Sequence, residues 1–513
     1  MAAPSLHTYA ADSSFDGGEL DCGSGLLLLI RKHIDPLPRG GLLEILSSEV
    51  SVKEDLPAWC RLTGNELVSI AAAGGRATSF LVCKGAFGER AGPSSAEVRI
   101  PVPSAETSQH VSTDRKPTRP TPAPAIPTLA VMGIGSWPRP RWMIQAVHEH
   151  VEGRLSEGEF QATADDAVRL CVEAQRRAGV DVLTDGEQRR DSYASFVGGR
   201  LDNCQLIPLT DLLPLVDDPE AFQQELRALD VPAREIRHPA VLGPLRRSRP
   251  IAAHEAAFLR TLSEQPVKVA LPGPYLLTRT MWMECISDNA YASRVHIAQD
   301  IVRVLREELT ELLAAGVSLV QFDEPVLSEV VFSGARKQRS FMCGALSEKG
   351  DAATELALAR DLVNAVVDGF PRERVAIHVC RGNWTPDESA CLAGSYAPLV
   401  PILGQIKVGT YFLELCTPRA GDIEVLRGLP EDRRIGVGVA DQKQASVESR
   451  YDVAARTERA IALFGLDRVL LNPDCGFATF ADNPVTSAAT AEGKLAVISA
   501  AARDVRDRHG VGR

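Results

Sequence analysis

The sequence predicts an α/β protein in which a (β/α)8 TIM barrel follows a small α/β two-layer sandwich domain. Two observations carry this prediction. Eight short apolar runs alternate with amphipathic segments across residues 129–513, as expected for repeated β-α units. A proline-rich stretch separates them from residues 1–95, which carry a shorter alternation of their own. A chain of 513 residues is long enough for two such domains.

The large domain is predicted to contain eight strands, most of them followed by amphipathic helices such as 290–315 and 351–367. Residues 200–262 are rich in proline and arginine and are the predicted insertion. Strands of parallel sheets are buried on both faces, so they are expected to read as continuous apolar runs. The predicted strands are 129–135, 181–184, 267–271, 318–322, 375–380, 411–415, 435–439 and 469–471.

A linker is predicted at residues 96–128, because seven prolines lie between positions 101 and 127 without apolar periodicity. Proline favours extended backbone that forms no sheet. Residues 1–95 are predicted to follow a β-α-β-α-β-β order. The helices of this small domain are expected at 26–34 and 52–60, and two of its strands are expected at 41–46 and 65–70.

Composition restricts the partners and the compartment. The formal net charge is −11, from 56 basic and 67 acidic residues, which argues against nucleic acid as the main partner. No apolar run approaches the ~20 residues of a membrane span, and no secretory signal is expected. The 11 cysteines are scattered, so we predict a cytoplasmic protein with free or metal-bound thiols. The sequence does not indicate an oligomeric state.

Four residues form a candidate metal site: His378, Cys380, Glu414 and Cys475. Each ends a short apolar run, and active sites of TIM barrels lie at the C-terminal ends of the strands. Imidazole, thiolate and carboxylate are ligands that zinc accepts. The spacings are irregular (414 − 378 = 36 and 475 − 414 = 61). On spacing alone, His378 is equally compatible with a core histidine and Cys475 with a small buried side chain.

Two carboxylates are predicted to share this rim. Glu187 follows the second predicted strand and Asp323 ends the fourth. They are suited to holding an ammonium group on a substrate. The alternative is a structural salt bridge, for example between Glu187 and Arg189 or Arg190.

Several motifs, in the same order, resemble the C-terminal catalytic barrel of cobalamin-independent methionine synthase over residues 129–510. They are Gly-Ser136-Trp-Pro, Asp-Gly-Glu187, Phe-Asp323-Glu-Pro, His378-Val-Cys380, Tyr-Phe-Leu-Glu414 and Asn-Pro-Asp-Cys475-Gly. The resemblance implies Zn2+ as the cofactor and four ligands for it. It also implies that Ser136, Glu187 and Asp323 contact the amino-acid part of a thiol substrate. The implied zinc ligands are His378, Cys380, Glu414 and Cys475.

The predicted function is that of a zinc-dependent transferase that activates a bound thiol as its thiolate for alkylation. The simplest version is methyl transfer to a homocysteine-like thiol, with Asp323 and Lys443 among the catalytic residues. Lys443 stands where the family commonly has a histidine thought to donate a proton. The folate-binding first barrel of the complete synthases has no counterpart in this sequence, and the chain is more similar to single-barrel relatives. One branch of those opens epoxides with a thiol, so thiol addition to an epoxide is an alternative.

Residues 17–86 resemble the small sulfur-carrier domains of the TusA type. Their match includes Leu-Asp-Cys22-Gly and Val52-Lys-Glu-Asp-Leu-Pro-Ala-Trp-Cys60. That resemblance implies a catalytic Cys22 that carries a persulfide received from a donor protein, although Cys22-Gly-Ser-Gly replaces the family's Cys-Pro-x-Pro. Zinc-assisted sulfur transfer between the domains is therefore a second hypothesis. A docking module with an idle Cys22, or a protein that senses sulfur status without turnover, is the non-enzymatic alternative.

Overall fold

The computed structural model describes residues 7–18, 20, 26–50, 52–63, 65–74, 77–87, 120–208, 237–282, 290–332, 351–383, 391–481 and 484–511. The chain divides into two compact units. Described residues up to 87 belong to the first unit and those from 120 onward to the second. Cys22 and residues 96–119 of the predicted linker lie outside the described residues.

The first unit is a four-stranded sheet with two helices. The sheet order is β1-β2-β4-β3, with β1 parallel to β2 and the other pairs antiparallel. Leu26, Ile30 and Ile34 of the first helix recur every four residues, so they share one helix face and are buried against the sheet. Its elements are β1 Ser13–Asp16, α1 Leu26–Ile34, β2 Leu42–Ser47, α2 Val52–Thr63, β3 Glu66–Gly74 and β4 Ala77–Cys83.

The second unit is built on a six-stranded parallel sheet of order β12-β11-β10-β9-β8-β7. Five of its strands are buried along their whole length, which explains why they read as unbroken apolar runs. The strands are β5 Asp202–Pro208, β6 Arg237–Arg246, β7 Lys268–Pro272, β8 Leu319–Asp323, β9 Val375–Val379, β10 Thr410–Leu413, β11 Arg434–Ala440 and β12 Val469–Pro473.

Helices follow most of these strands, and their sequences show why they begin and end where they do. Before the second helix of the unit, Ser156 and Glu159 form a reciprocal capping box, and Gly179 ends that helix with a φ of 77°. The helices are α3 Arg141–Val151, α4 Glu157–Ala178, α5 Ala253–Leu262, α6 Pro274–Met281, α7 Arg294–Ala314, α8 Val326–Phe332, α9 Ala352–Val367, α10 Val400–Leu403, α11 Arg450–Phe464 and α12 Ala488–Arg508.

The first two predicted strands of the barrel do not form regular strands. Residues 131–132 and 182–183 make single parallel bridges, which join Val131 to Leu471, Met132 to Val182 and Leu183 to Val267. The Val131 N–H donates to the Asp181 side chain at 2.8 Å rather than to a strand carbonyl, so a regular ladder does not extend there. A closed eight-stranded barrel therefore stays a prediction, while six of the eight predicted strands are present as one parallel sheet.

Residues 120–128, the end of the predicted linker, form hydrogen bonds with the rest of the second unit. The Thr121 N–H donates to the Leu313 carbonyl at 3.1 Å, and the Ser318 hydroxyl donates to the Pro124 carbonyl at 2.8 Å. Within the predicted insertion, β5 and β6 pair as an antiparallel hairpin. Among the described residues, no helix combines the length and apolarity that a membrane span requires.

Candidate active site

A cavity lies where the C-terminal ends of β8, β9 and β12 meet the segments after residues 131–132 and 182–183. Its polar lining includes six of the residues predicted from the sequence. Glu414 and Lys443 are not among the described residues that line it. The six predicted residues on its wall are Ser136, Glu187, Asp323, His378, Cys380 and Cys475.

Three of the four predicted metal ligands come together in this cavity. The ligand atoms of His378, Cys380 and Cys475 lie within 4.8 Å of one another, and all three residues are buried. The His378 Nδ1 is 3.2 Å from the Phe412 carbonyl oxygen. Because a carbonyl can only accept, this contact places a proton on Nδ1, and Nε2 lies 3.6 Å from Cys475 Sγ.

The pKa values of the two cysteines are shifted in opposite directions. A hydrogen bond from the Cys475 thiol, with a further one from His378, lowers the pKa of Cys380 well below its ordinary value. The same hydrogen bond raises the pKa of Cys475. Burial alone would lower the pKa of His378, but its hydrogen bond to Cys380 raises it. The cluster thus contains one stabilised thiolate, as a soft metal site requires.

The carboxylate of Glu414, the fourth predicted ligand, is not one of the three residues of this cluster. Its Oε1 accepts from the Arg381 backbone N–H at 2.7 Å and from the Asn383 side-chain amide. Its Oε2 lies 3.4 Å from Arg419 Nη2. Burial, reinforced by the charge on Cys380, raises the pKa of Glu414 to about 7. Sequence reasoning missed Asn383 and Arg419 as partners of Glu414, because their only signal is proximity in the fold.

Glu187 reaches the cavity through an unusual backbone. It has a φ of 56° and follows Gly186 at 72°, and left-handed backbone at a non-glycine residue marks functional sites. The Asp185 side chain accepts from the Glu187 N–H at 3.0 Å and holds this turn. A Cβ at Gly135 would lie 2.1 Å from Glu187 Oε1, so glycine at that position leaves room for the carboxylate.

The salt-bridge alternative for Glu187 is present as a long ion pair with Arg190, which has a closer partner. Arg190 is 3.9 Å from its carboxylate and is bonded chiefly to Glu255, at 2.7 Å. Arg189 pairs with Asp165. Burial raises the pKa of Glu187 to about 7.

Asp323 and Ser136 complete the polar wall. Asp323 Oδ1 accepts from the Gln321 amide at 2.7 Å, and burial raises the pKa of Asp323 to about 6. Ser136 Oγ accepts from the Ala478 N–H at 3.3 Å. A Cβ at Gly476 would lie 2.2 Å from Ser136 Oγ. Glycine at that position therefore leaves room for the Ser136 hydroxyl.

Lys443 lies behind the cavity wall. It is buried, and its backbone N–H donates to Asp441 Oδ1 at 2.9 Å. Burial raises the pKa of the Cys391 thiol to about 11, and the charge of Lys443 opposes that rise. Cys391 in turn lies 3.5 Å from Asn383 Oδ1. Lys443 therefore connects to the cavity through Cys391 and Asn383.

Comparison with known proteins identifies the family of this chain. The chain belongs to the family of the catalytic domain of cobalamin-independent synthases, whose profile matches residues 127–212 and 220–497. A methionine synthase from Sulfolobus acidocaldarius is 27% identical over 352 residues, 68% of this chain and 86% of that protein. One from Saccharolobus solfataricus is 25% identical over 352 residues, 68% of this chain and 89% of that protein.

A solved structure has the same fold. The B12-independent methionine synthase from Shewanella sp. W3-18-1, in complex with selenomethionine, has a TM-score of 0.55 and 23% identity. The match covers 75% of this chain and 100% of that one. Together with the family profile, these relatives support a methyltransferase, the enzyme class that the sequence predicts.

Proposed function

We propose that this enzyme transfers a methyl group to the sulfur of homocysteine, or of a closely similar amino-acid thiol, with Zn2+ as its cofactor. The observation that carries the proposal is the composition of one cavity. Its wall combines a cluster of two cysteines and a histidine with two buried carboxylates and a serine hydroxyl. Those groups match the three functional parts of an amino-acid thiol: sulfur, ammonium and carboxylate.

The cluster fits zinc. His378, Cys380 and Cys475 would hold the ion through one imidazole nitrogen and two sulfurs, a donor set that zinc prefers in tetrahedral sites. Three protein ligands leave a position for a further sulfur, and a bound Zn2+ lowers the pKa of a thiol that occupies it. Glu414 can serve as a fourth ligand, and its contacts with Asn383 and Arg419 would then orient its carboxylate.

The two carboxylates and the serine hydroxyl of the cavity wall would orient the substrate. Glu187 and Asp323 present buried carboxylates to the cavity, so a substrate ammonium group can neutralise them. The Ser136 hydroxyl can donate to the substrate carboxylate. In the reaction, the thiol loses its proton, the sulfur–methyl bond forms, and the bond between the methyl carbon and its donor breaks.

A direct product assay tests this function. The zinc-loaded protein is incubated with homocysteine and each of several methyl donors, folate and corrinoid donors among them, and methionine is detected by mass spectrometry. We expect methionine with at least one donor, and none from the Cys380→Ala variant. If no donor gives methionine while an epoxide is opened by a thiol in the same preparation, the alkylation proposal for homocysteine is wrong.

The remaining expectations extend this proposal. The bridges at residues 131–132 and 182–183 are the contacts through which an eight-stranded barrel would close. The division into residues 1–95, 96–128 and 129–513, a cytoplasmic location and catalytic roles for Asp323 and Lys443 stay predictions. So do a TusA-like first unit, its persulfide donor protein and zinc-assisted sulfur transfer, because Cys22 lies outside the described residues.

A further inference from the structure

Lys268 is a fully buried lysine at the start of β7, inside the parallel sheet. Its Nζ donates to Gln321 Oε1 at 2.8 Å and lies 4.2 Å from the centroid of the Phe412 ring. Its ammonium forms no ion pair with a carboxylate of the described residues. Burying a charged group is costly unless it is well bonded, so an apolar residue would fill this position at a lower cost.

Gln321 connects this lysine to the cavity. Gln321 and Asp323 are two residues apart on β8, so their side chains share one face of the strand. The Gln321 Nε2 donates to Asp323 Oδ1 at 2.7 Å. Lys268, Gln321 and Asp323 therefore form a hydrogen-bonded chain that begins inside the sheet and ends at the cavity wall.

Burial lowers the pKa of Lys268 to about 7, and the Nζ carries N–H donors in both of its protonation states. With the amide oxygen of Gln321 accepting from Lys268, the NH2 group of Gln321 faces Asp323. An NH2 group donates to an ionised carboxylate. If the amide were reversed, its oxygen would face Asp323 and would favour the protonated acid, which carries no charge to attract an ammonium group.

We propose that Lys268 is a positioning residue for substrate binding. Through Gln321, it holds Asp323 as an ionised acceptor whose other oxygen receives the ammonium group of the amino-acid substrate. This inference rests on the proposed function, because it takes an amino-acid thiol as the substrate. It assigns Lys268 a part in recognising the amino group and none in contacting the reacting sulfur.

The test compares homocysteine with 4-mercaptobutanoate, the same thiol without its amino group. In the Lys268→Met variant, which keeps a side chain of similar length, we expect KM for homocysteine to rise about tenfold, since a charge-assisted hydrogen bond is weakened. The kcat should stay within about twofold, and so should KM for 4-mercaptobutanoate, because that substrate has no ammonium group to lose contact with.

Three further variants make the test specific. Gln321→Met breaks the chain in its middle and should reproduce the selective loss for homocysteine. Lys268→Arg keeps a group that only donates and should recover much of the preference for homocysteine. Lys494→Met removes another fully buried lysine, which lies on α12 and is bonded to Glu448, and should leave the ratio of the two KM values unchanged.

The outcomes separate the inference from the function it rests on. Equal losses on both thiols in Lys268→Met and Gln321→Met would show that Lys268 only supports the fold. If Lys268→Met does not fold, as judged by circular dichroism, Gln321→Met decides alone. A wild-type enzyme that methylates neither thiol, or does not prefer homocysteine, overturns the proposed function and the inference with it.

Discussion

The two walls of the cavity are both buried, yet they are built in opposite ways. His378, Cys380 and Cys475 contact one another, and their ligand atoms lie within 4.8 Å. Glu187 and Asp323 are held separately, by a strained turn and by a glutamine. The first wall can bind a metal before any substrate arrives, whereas the second carries two costly carboxylates that a cationic substrate would stabilise. Under the proposed function, the sulfur chemistry belongs to one wall and substrate recognition to the other.

The largest expected effect comes from disrupting the sulfur wall, which is formed by His378, Cys380 and Cys475. Cys475→Ala removes one of the two sulfurs, so we expect zinc to be lost and turnover to fall about a thousandfold or more. Zinc content by mass spectrometry and methionine production measure the two effects. Cys204→Ala removes a thiol from β5, outside the cluster, and should keep both zinc and activity. A Cys475→Ala protein with full zinc and full activity would contradict the assignment.

Changes to the carboxylate wall, which is formed by Glu187 and Asp323, should affect substrate binding more than the chemical step. Glu187→Gln keeps the shape of the side chain and removes its charge, so we expect KM for homocysteine to rise about thirtyfold. Zinc content should stay at the wild-type level, because Glu187 lies outside the ligand cluster. Steady-state kinetics and metal analysis of one preparation check both statements. Loss of zinc in this variant would mean that the two walls are not independent.

A weaker effect is expected from Asn383, which bonds the Glu414 carboxylate. Asn383→Ala should lower the zinc affinity about tenfold, since outer contacts of a metal site orient its ligands. Competition with a zinc chelator measures the affinity. Asn364→Ala is a matched control, because Asn364 caps surface loops near Gln405 and Lys407, and it should leave the affinity unchanged. An unchanged affinity in Asn383→Ala would show that the contact between Asn383 and Glu414 plays no part in metal binding.

The smallest effect concerns pH and stability. The pKa of Glu187 is raised by burial to about 7, above the ordinary 4.5. Below about pH 4.5 the acid is protonated in both states; as pH rises toward 7 the unfolded chain loses this proton first, so stability is lost over that window. The melting temperature of the substrate-free wild type should therefore decline more steeply with pH than that of Glu187→Gln. Parallel melting curves from about pH 5 to about pH 8 would contradict the burial argument.

Much of the site follows from the sequence because strand geometry is regular. His378 and Cys380 are two residues apart on a strand, so one face receives both. The C-terminal ends of parallel strands lie at one edge of the sheet, which brings Cys475 beside them. The position of Glu414 could not be predicted in this way. It depends on donors from Asn383 and Arg419, which lie on separate loops and meet only in the folded chain.

Prediction of the fold from the sequence has the same limit. The apolar runs predict the six regular strands, but the segments at 131–132 and 182–183 form only single bridges, because the Asp181 side chain occupies a backbone donor of Val131. The proline content of residues 120–128 suggests a linker, yet their backbone carbonyls and amides bond to the rest of the second unit. The Lys268 chain was missed for a related reason. A lysine that opens an apolar run looks like a strand boundary until the pairing of β7 with β8 places Gln321 beside it.

The central claim is that the sulfur wall holds a metal to which the substrate thiol is added. X-ray absorption at the zinc edge, on the wild-type enzyme with and without homocysteine, tests it most directly. Cys380 and Cys475 supply two sulfurs to the cluster, so the account predicts two sulfur ligands without homocysteine and three with it. A sulfur count that does not change when homocysteine binds would contradict the account.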